Sequence, residues 1–238
     1  MLVLGVSLGQ SAVYSILRII DLATRRVALN QQTTSLNSSV TPDRPWLDLL
    51  YQLVGVVFPV LPALLALYLL SVWPGRPGRL IGFNLARPVF DLGFGLGIAA
   101  CIGIPGLGLY LGARELGFNT TIAAGNLTAS WYAIPIYCLQ AAMNGVLEEV
   151  IMIGYLYTRF RQLGWRWPVV IIVSAVVRGS YHLYQGYGGF AGNLIMGAVF
   201  GLIYLKWKRV MTLVVAHTVL DIVSFVGYAL VAPRVSWL

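Results

Sequence analysis

Charge is what this chain lacks most. Only 10% of its 238 residues are charged and 58% are hydrophobic, with a mean hydropathy of +0.80. A soluble domain of this length carries about a quarter charged residues. Too little polar surface exists here to cover a soluble globule, so the composition is that of a polytopic membrane protein. Cysteine is scarce too. Cys101 and Cys138 both fall in apolar segments, without metal-type spacing or a disulfide framework, and read as small buried hydrophobes. Glutamate occurs three times (Glu115, Glu148, Glu149) and histidine twice (His182, His217), so each position is informative. The net charge of +8 does not indicate nucleic acid, because the basic residues sit at the ends of apolar runs, where they set topology. No secretory signal is visible, since the first apolar run starts at Met1 with no basic stretch ahead and no small-residue cleavage site. That run is expected to stay as the first membrane helix, with room for a few further native residues before it.

What the chain does have is apolar runs long enough to span a bilayer, which takes about 20 residues. Punctuation by Pro, Gly and Arg predicts an all-α transmembrane bundle of about seven spans, at 2–24, 46–73, 89–113, 129–158, 168–185, 190–205 and 210–231. A polar linker at 30–45, a short amphipathic piece at 79–88 and a polar loop from Glu115 to Gly125 separate them. Residues 1–238 are expected to form one membrane domain with no soluble one. In helix three, Pro105 and the glycines predict close packing or a kink. On one side of the membrane lie Arg76, Arg79, Arg87, Arg159, Arg161, Arg166, Lys206, Lys208 and Arg209. On the other lie Arg25, Arg26, Arg44, Arg114 and Arg234. The positive-inside rule makes the first set cytoplasmic and leaves the N-terminus inside.

Glu148 and Glu149 interrupt the apolar run AMNGVLEEVIMIGYL. Ionisable groups at such depth cost roughly 2.5–3.5 kcal/mol each even on lenient insertion scales. At the helical rise, Glu149 lies roughly 15 Å from Arg159, Arg178 about 18 Å beyond Arg166, and His217 and Asp221 about 12 and 18 Å beyond Arg209. Four groups on three helices thus share one depth near the midplane. His182 stands deeper, at about 24 Å, unless Gly179 bends the helix back. Arg178 with His182, and His217 with Asp221, have the i,i+4 spacing of one helical face. Glu148 and Glu149 are about 100° apart on theirs, so one should face the cavity and the other a neighbouring helix. Asn144, one turn earlier, is placed to hydrogen-bond Glu148.

The texts EEVIMIG (148–154), RGSYH (178–182) and HTVLD (217–221) resemble the CAAX-protease and bacteriocin-processing (CPBP) family of intramembrane endopeptidases, type II CAAX prenyl endopeptidase-like. That family carries Glu-Glu-x-x-x-Arg, Phe-x-x-x-His and His-x-x-x-Asn/Asp on successive helices. The resemblance covers residues 128–231, the expected catalytic core. Ile153 stands where the family has Arg, and Arg178 where it has Phe. The missing cation is therefore expected to reappear on the next helix, with Arg178 pairing Glu149.

The resemblance implies that Glu148 and His182 hold and activate a water, with Glu148 as general base. It also implies that His217 and Asp221 serve the oxyanion, where an ionised Asp221 suits orienting His217 better than touching the oxyanion. No cofactor is expected. Zinc on Glu148, His182 and His217 is the alternative, as three ligands with an open position. The substrate is expected to be a membrane-embedded or membrane-anchored protein, CAAX-like or otherwise, cut in a bacterial plasma membrane. Two other readings fit the same composition: a catalytically silent scaffold or immunity-type protein, and a proton-coupled transporter. The remaining polar and small residues have structural readings. Asn193 is a buried hydrogen-bonding group, Gly197 and Gly201 form a helix-packing GxxxG, and Tyr181, Tyr184 and Tyr187 form an interfacial belt or, as the weaker alternative, line a substrate entrance.

Overall fold

The computed structural model describes residues 2–72, 76–127 and 131–234. The expected end of helix two at 73 and the start of helix four at 129 lie outside these residues. The chain folds as an all-α bundle. The first run is broken into α1 (Leu2–Gly5) and α2 (Leu8–Thr24). The break falls at Val6 and Ser7, where the Ser7 hydroxyl turns back to the Val3 carbonyl. Next come α3 (Pro45–Ser71), the single turn α4 (Pro77–Leu80) and α5 (Pro88–Glu115). A continuous helix follows, made of α6 (Ala133–Glu148), a π-helical segment (Glu149–Tyr155) and α7 (Leu156–Gln162). The bundle ends with α8 (Trp167–Ser180), α9 (Tyr187–Trp207) and α10 (Val210–Val231). Helices α3, α4 and α5 begin with proline, whose missing N–H would be unpaired there in any case.

Among the described residues, five helices are long and apolar enough to cross a membrane: α3, α5, α6–α7, α9 and α10. The expected fifth span is shorter than the sequence suggests. At 14 residues α8 reaches about 21 Å, less than a hydrocarbon core of about 30 Å. Its chain tightens at Ser180 into a turn and a 3-10 segment, Leu183–Gln185. The α6–α7 helix is the hub, with 61% of its most apolar stretch buried against 17% for α3 and α5. Those outer helices turn Leu61, Leu64, Ile104 and Leu107 outward, as a lipid-facing surface requires. In α5, Pro105 stays within the helix, and Gly95 and Gly103 admit Val215 and Leu220 of α10 at distances a Cβ could not tolerate. Close packing is thus what Gly95 and Gly103 serve, while Gly93, Gly97, Gly106, Gly108 and Gly112 face open space.

The polar linker carries one short strand. Its β1 (Thr33–Ser35) pairs in parallel with β2 (Thr121–Ala123) in the register Thr33–Thr121, Thr34–Ile122 and Ser35–Ala123. Gln32 ties the ribbon to α2 through the Leu22 and Val27 carbonyls, at 2.9 and 2.8 Å. Thr120 bonds Thr34 at 2.8 Å. Backbone groups leaving the bundle need partners wherever water is scarce, and the two polar loops supply them to each other. A second polar knot closes the opposite end. Arg209 was expected to be a loop charge, but it is buried and forms a forked pair with Asp91, whose Oδ1 also accepts from Thr212 at 2.6 Å.

Candidate active site

The site forms because small residues let three helices approach closely. A Cβ on Gly145 would lie 2.6 Å from the Thr218 hydroxyl and 3.0 Å from the Val214 carbonyl, so glycine there seats α6 directly on α10. On α9, a Cβ at Gly197 would meet both Ala175 and the Arg178 side chain at 3.1 Å. The expected GxxxG therefore does more than pack helices, since its first glycine makes room for a buried guanidinium. Gly179 does not bend α8. It lies one residue before the helix end and admits Phe190, whose carbonyl would sit 2.8 Å from a Cβ.

At the centre is Glu149, fully buried. Its Oε1 accepts from Arg178 Nη2 and, at 2.7 Å, from His217 Nδ1. The relocated cation thus pairs where the departures at Ile153 and Arg178 predict. Arg178 is itself 1% exposed, with its guanidinium 5.4 Å from the Phe200 ring and 3.9 Å from Glu148 Oε2. One guanidinium therefore serves both glutamates. Two adjacent carboxylates in an apolar bundle would repel each other and lack hydration, so a shared cation is what makes the pair tolerable.

The π-helical segment starts at Glu149 itself. Such i→i+5 stretches are frequent at functional sites and shift side chains out of the α-helical register. Glu149 points into the Arg178–His217 pair. Glu148 faces Tyr181, whose hydroxyl donates to Oε2 at 2.6 Å. Tyr181 is therefore not part of an interfacial belt. It is 4% exposed and belongs to the site, although its spacing from Tyr184 and Tyr187 suggested otherwise. Its place one residue before His182 was the available signal. Of the other two tyrosines, Tyr187 is exposed and Tyr184 half-buried.

His182 does not share a helical face with Arg178, because α8 has ended. Its N–H bonds the Gly179 carbonyl at 3.0 Å, and its Nδ1 lies 3.0 Å from the Arg178 carbonyl. A carbonyl only accepts, so Nδ1 carries the proton and Nε2 is left as an acceptor. The turn brings His182 within electrostatic reach of Glu148, which also interacts with His217 and Arg178. On α10 the expected His217–Asp221 unit is looser than the sequence suggests. Nε2 of His217 stands 3.8 Å from Asp221, while Glu149 holds Nδ1. The carboxylate that orients His217 is thus Glu149, a residue 68 positions away. Asn144 does not bond Glu148. It donates to Asp221 at 2.8 Å, because the Gly145 contact turns this face of α6 toward α10. Asn193 bonds the Gly189 carbonyl of its own helix at 3.0 Å.

The donors suited to a metal differ from those expected. Ligand atoms of Glu148, Glu149 and His217 come within 4.8 Å of one another, and His182 is outside that group. This set fits a divalent ion poorly. Arg178 already supplies the positive charge between the two glutamates, and Glu149 Oε1 is taken by Arg178 and His217. Both histidines, both glutamates, Arg178 and Asp221 nevertheless converge on one region of the bundle.

Comparison with known proteins bears on this region alone. Residues 130–223 match the family model described as type II CAAX prenyl endopeptidase Rce1-like. No curated protein and no solved structure matches the chain. Segment 130–223 contains every side chain of the site, and over that segment this integral membrane protein is similar to the CAAX protease family.

Proposed function

We propose that the protein is an intramembrane endopeptidase that cuts a membrane-anchored or membrane-embedded protein substrate with a water activated by Glu148. One observation carries this reading. A buried carboxylate, restrained by Tyr181 and Arg178, shares its surroundings with two histidines brought in from separate helices. A scaffold has no need to keep both histidines beside the same charged pair.

In this mechanism a water donates one hydrogen bond to Glu148 and the other to Nε2 of His182. Glu148 takes the proton as the hydroxide attacks the scissile carbonyl, and later gives it to the leaving amine. His217 carries its Nδ1 proton toward Glu149, and with a second proton on Nε2 it donates to the oxyanion of the tetrahedral intermediate. Asp221, held by Asn144, lies beside that Nε2 and balances its charge. Glu149 and Arg178 are positioning residues. They fix His217 and keep Glu148 in place. The substrate enters laterally from lipid, and the basic end of the bundle faces the cytoplasm of a bacterial plasma membrane.

A metal-dependent variant is the second reading, favoured by the approach of Glu148, Glu149 and His217 to within 4.8 Å. The two are separated by incubating purified protein in liposomes with membrane proteomes and following the appearance of new N-termini. Wild type should cleave, Glu148→Gln should lose at least about a hundredfold of the rate with its fold intact, and EDTA should have no effect. Full cleavage by the Glu148 variant would refute the peptidase. Inhibition by EDTA that zinc reverses would refute the metal-free version.

A further inference from the structure

An open cleft lies at the basic end of the bundle, away from the two glutamates. It offers about 380 Å³ between α7, α8 and α9, within the size range of ligand sites. Its walls include Thr158, Arg161, Gln162, Trp167, Tyr204 and Lys208. Two cations are held on one ring here. The Arg161 guanidinium lies 4.6 Å from the Trp167 centroid and the Lys208 ammonium 4.5 Å from it. Lys208 is also 5.5 Å from the Tyr204 ring. Lys208 adopts a left-handed backbone (φ 54°), a conformation a lysine adopts only at a tight helix end.

Among the described residues, no carboxylate pairs with either cation. Nine cations lie at this end of the bundle (Arg76, Arg79, Arg87, Arg159, Arg161, Arg166, Lys206, Lys208 and Arg209). Among the described residues the helix ends place one acid here, Asp91, and Arg209 already occupies it. Burial, reinforced by the nearby Arg161 charge, holds the Lys208 ammonium below the ordinary lysine range. An open site with two cations, hydroxyl and amide donors and an aromatic floor suits a phosphate ester. Its position where three helices leave the apolar layer is the level of lipid headgroups, where basic pockets between helices bind anionic lipids.

We infer that the cavity bounded by Arg161, Lys208, Trp167 and Tyr204 binds the phosphate of an anionic lipid headgroup. A choline headgroup is disfavoured, because the ring that would receive its quaternary ammonium already carries two cations. The site is independent of the peptidase reading, since none of its residues belongs to the glutamate–histidine cluster.

The test is native mass spectrometry of the detergent-solubilised full chain, titrated with phosphatidylglycerol, with phosphatidylcholine of the same acyl chains, or with inorganic phosphate. Arg161→Gln/Lys208→Gln should weaken retention of phosphatidylglycerol by roughly thirtyfold, the value of two cationic headgroup contacts. Arg79→Gln/Arg87→Gln removes the same charge from the same end and should leave retention unchanged. Competition by millimolar inorganic phosphate would assign the site to free phosphate, and no competition would assign it to the lipid. Equal loss in both double variants would overturn the inference in favour of diffuse surface charge, as would equal retention of the two lipids by wild type. Should the first double variant fold poorly, Lys208→Gln alone should still weaken phosphatidylglycerol about fivefold, and an unchanged affinity would overturn the site.

Discussion

Replacing Arg178 with methionine should be one of the most damaging single changes in the protein, and a second substitution should offset part of the damage. Methionine keeps much of the side-chain volume in the space opened by Gly197 but removes the guanidinium shared by Glu149 and Glu148. At 3.9 Å the Arg178–Glu148 attraction alone is worth about 4 kcal/mol at an effective dielectric of 20. Leaving one partner of a buried pair uncompensated costs roughly 3–5 kcal/mol. Glu149→Gln should cost less, about 2–3 kcal/mol, because Arg178 keeps Glu148 and the Phe200 ring. If the pair is a true unit, Glu149→Gln/Arg178→Met should be no less stable than Arg178→Met alone. The coupling would then be about 2–3 kcal/mol, well above the ~0.5 kcal/mol scatter of independent sites. The assay is reversible unfolding in mixed detergent micelles, followed by tryptophan fluorescence. Strict additivity would show that the guanidinium and Glu149 do not depend on each other, and the account of the site would lose its central contact.

Other consequences follow from the same contacts. Arg178→Gln combined with Ile153→Arg should recover stability relative to Arg178→Gln alone, by returning the cation to the family position; equal loss in both would end the idea of an exchanged arginine. Tyr181→Phe removes a charge-assisted hydrogen bond worth about 1.5–3 kcal/mol, so cleavage should slow by roughly ten- to a hundredfold with the melting temperature little changed. An unaltered rate would take Tyr181 out of the site. Asp221→Asn should cost far less activity than Glu149→Gln, because Glu149 is the group bonded to His217. The reverse order in a rate comparison would restore Asp221 as the orienting residue. Asp91→Asn strands the buried Arg209, so unfolding should come about 3 kcal/mol earlier, with cleavage at low temperature unaffected.

Much of this molecule is legible along the chain. Sparse charge and long apolar runs lead directly to a membrane-spanning helical bundle, because transfer into lipid is close to a sum over residues. The common depth of Glu149, Arg178, His217 and Asp221 follows as well, since helical rise is constant. Even the exchange of the motif arginine could be anticipated: an unpaired buried carboxylate is costly, and Arg178 was the cation at the right level. Which side chains meet at that level was not legible. His217 hydrogen-bonds Glu149 and only approaches Asp221, Asn144 serves Asp221, Tyr181 leaves the expected belt for Glu148, and Arg209 reaches Asp91 across 118 positions. Each of these depends on how far a helix is rotated and where it stops. Rotation is set by glycine contacts such as Gly145 on Thr218, and by the π-helical register that begins at Glu149. Depth is a one-dimensional property that a sequence carries; facing is settled only when the helices pack.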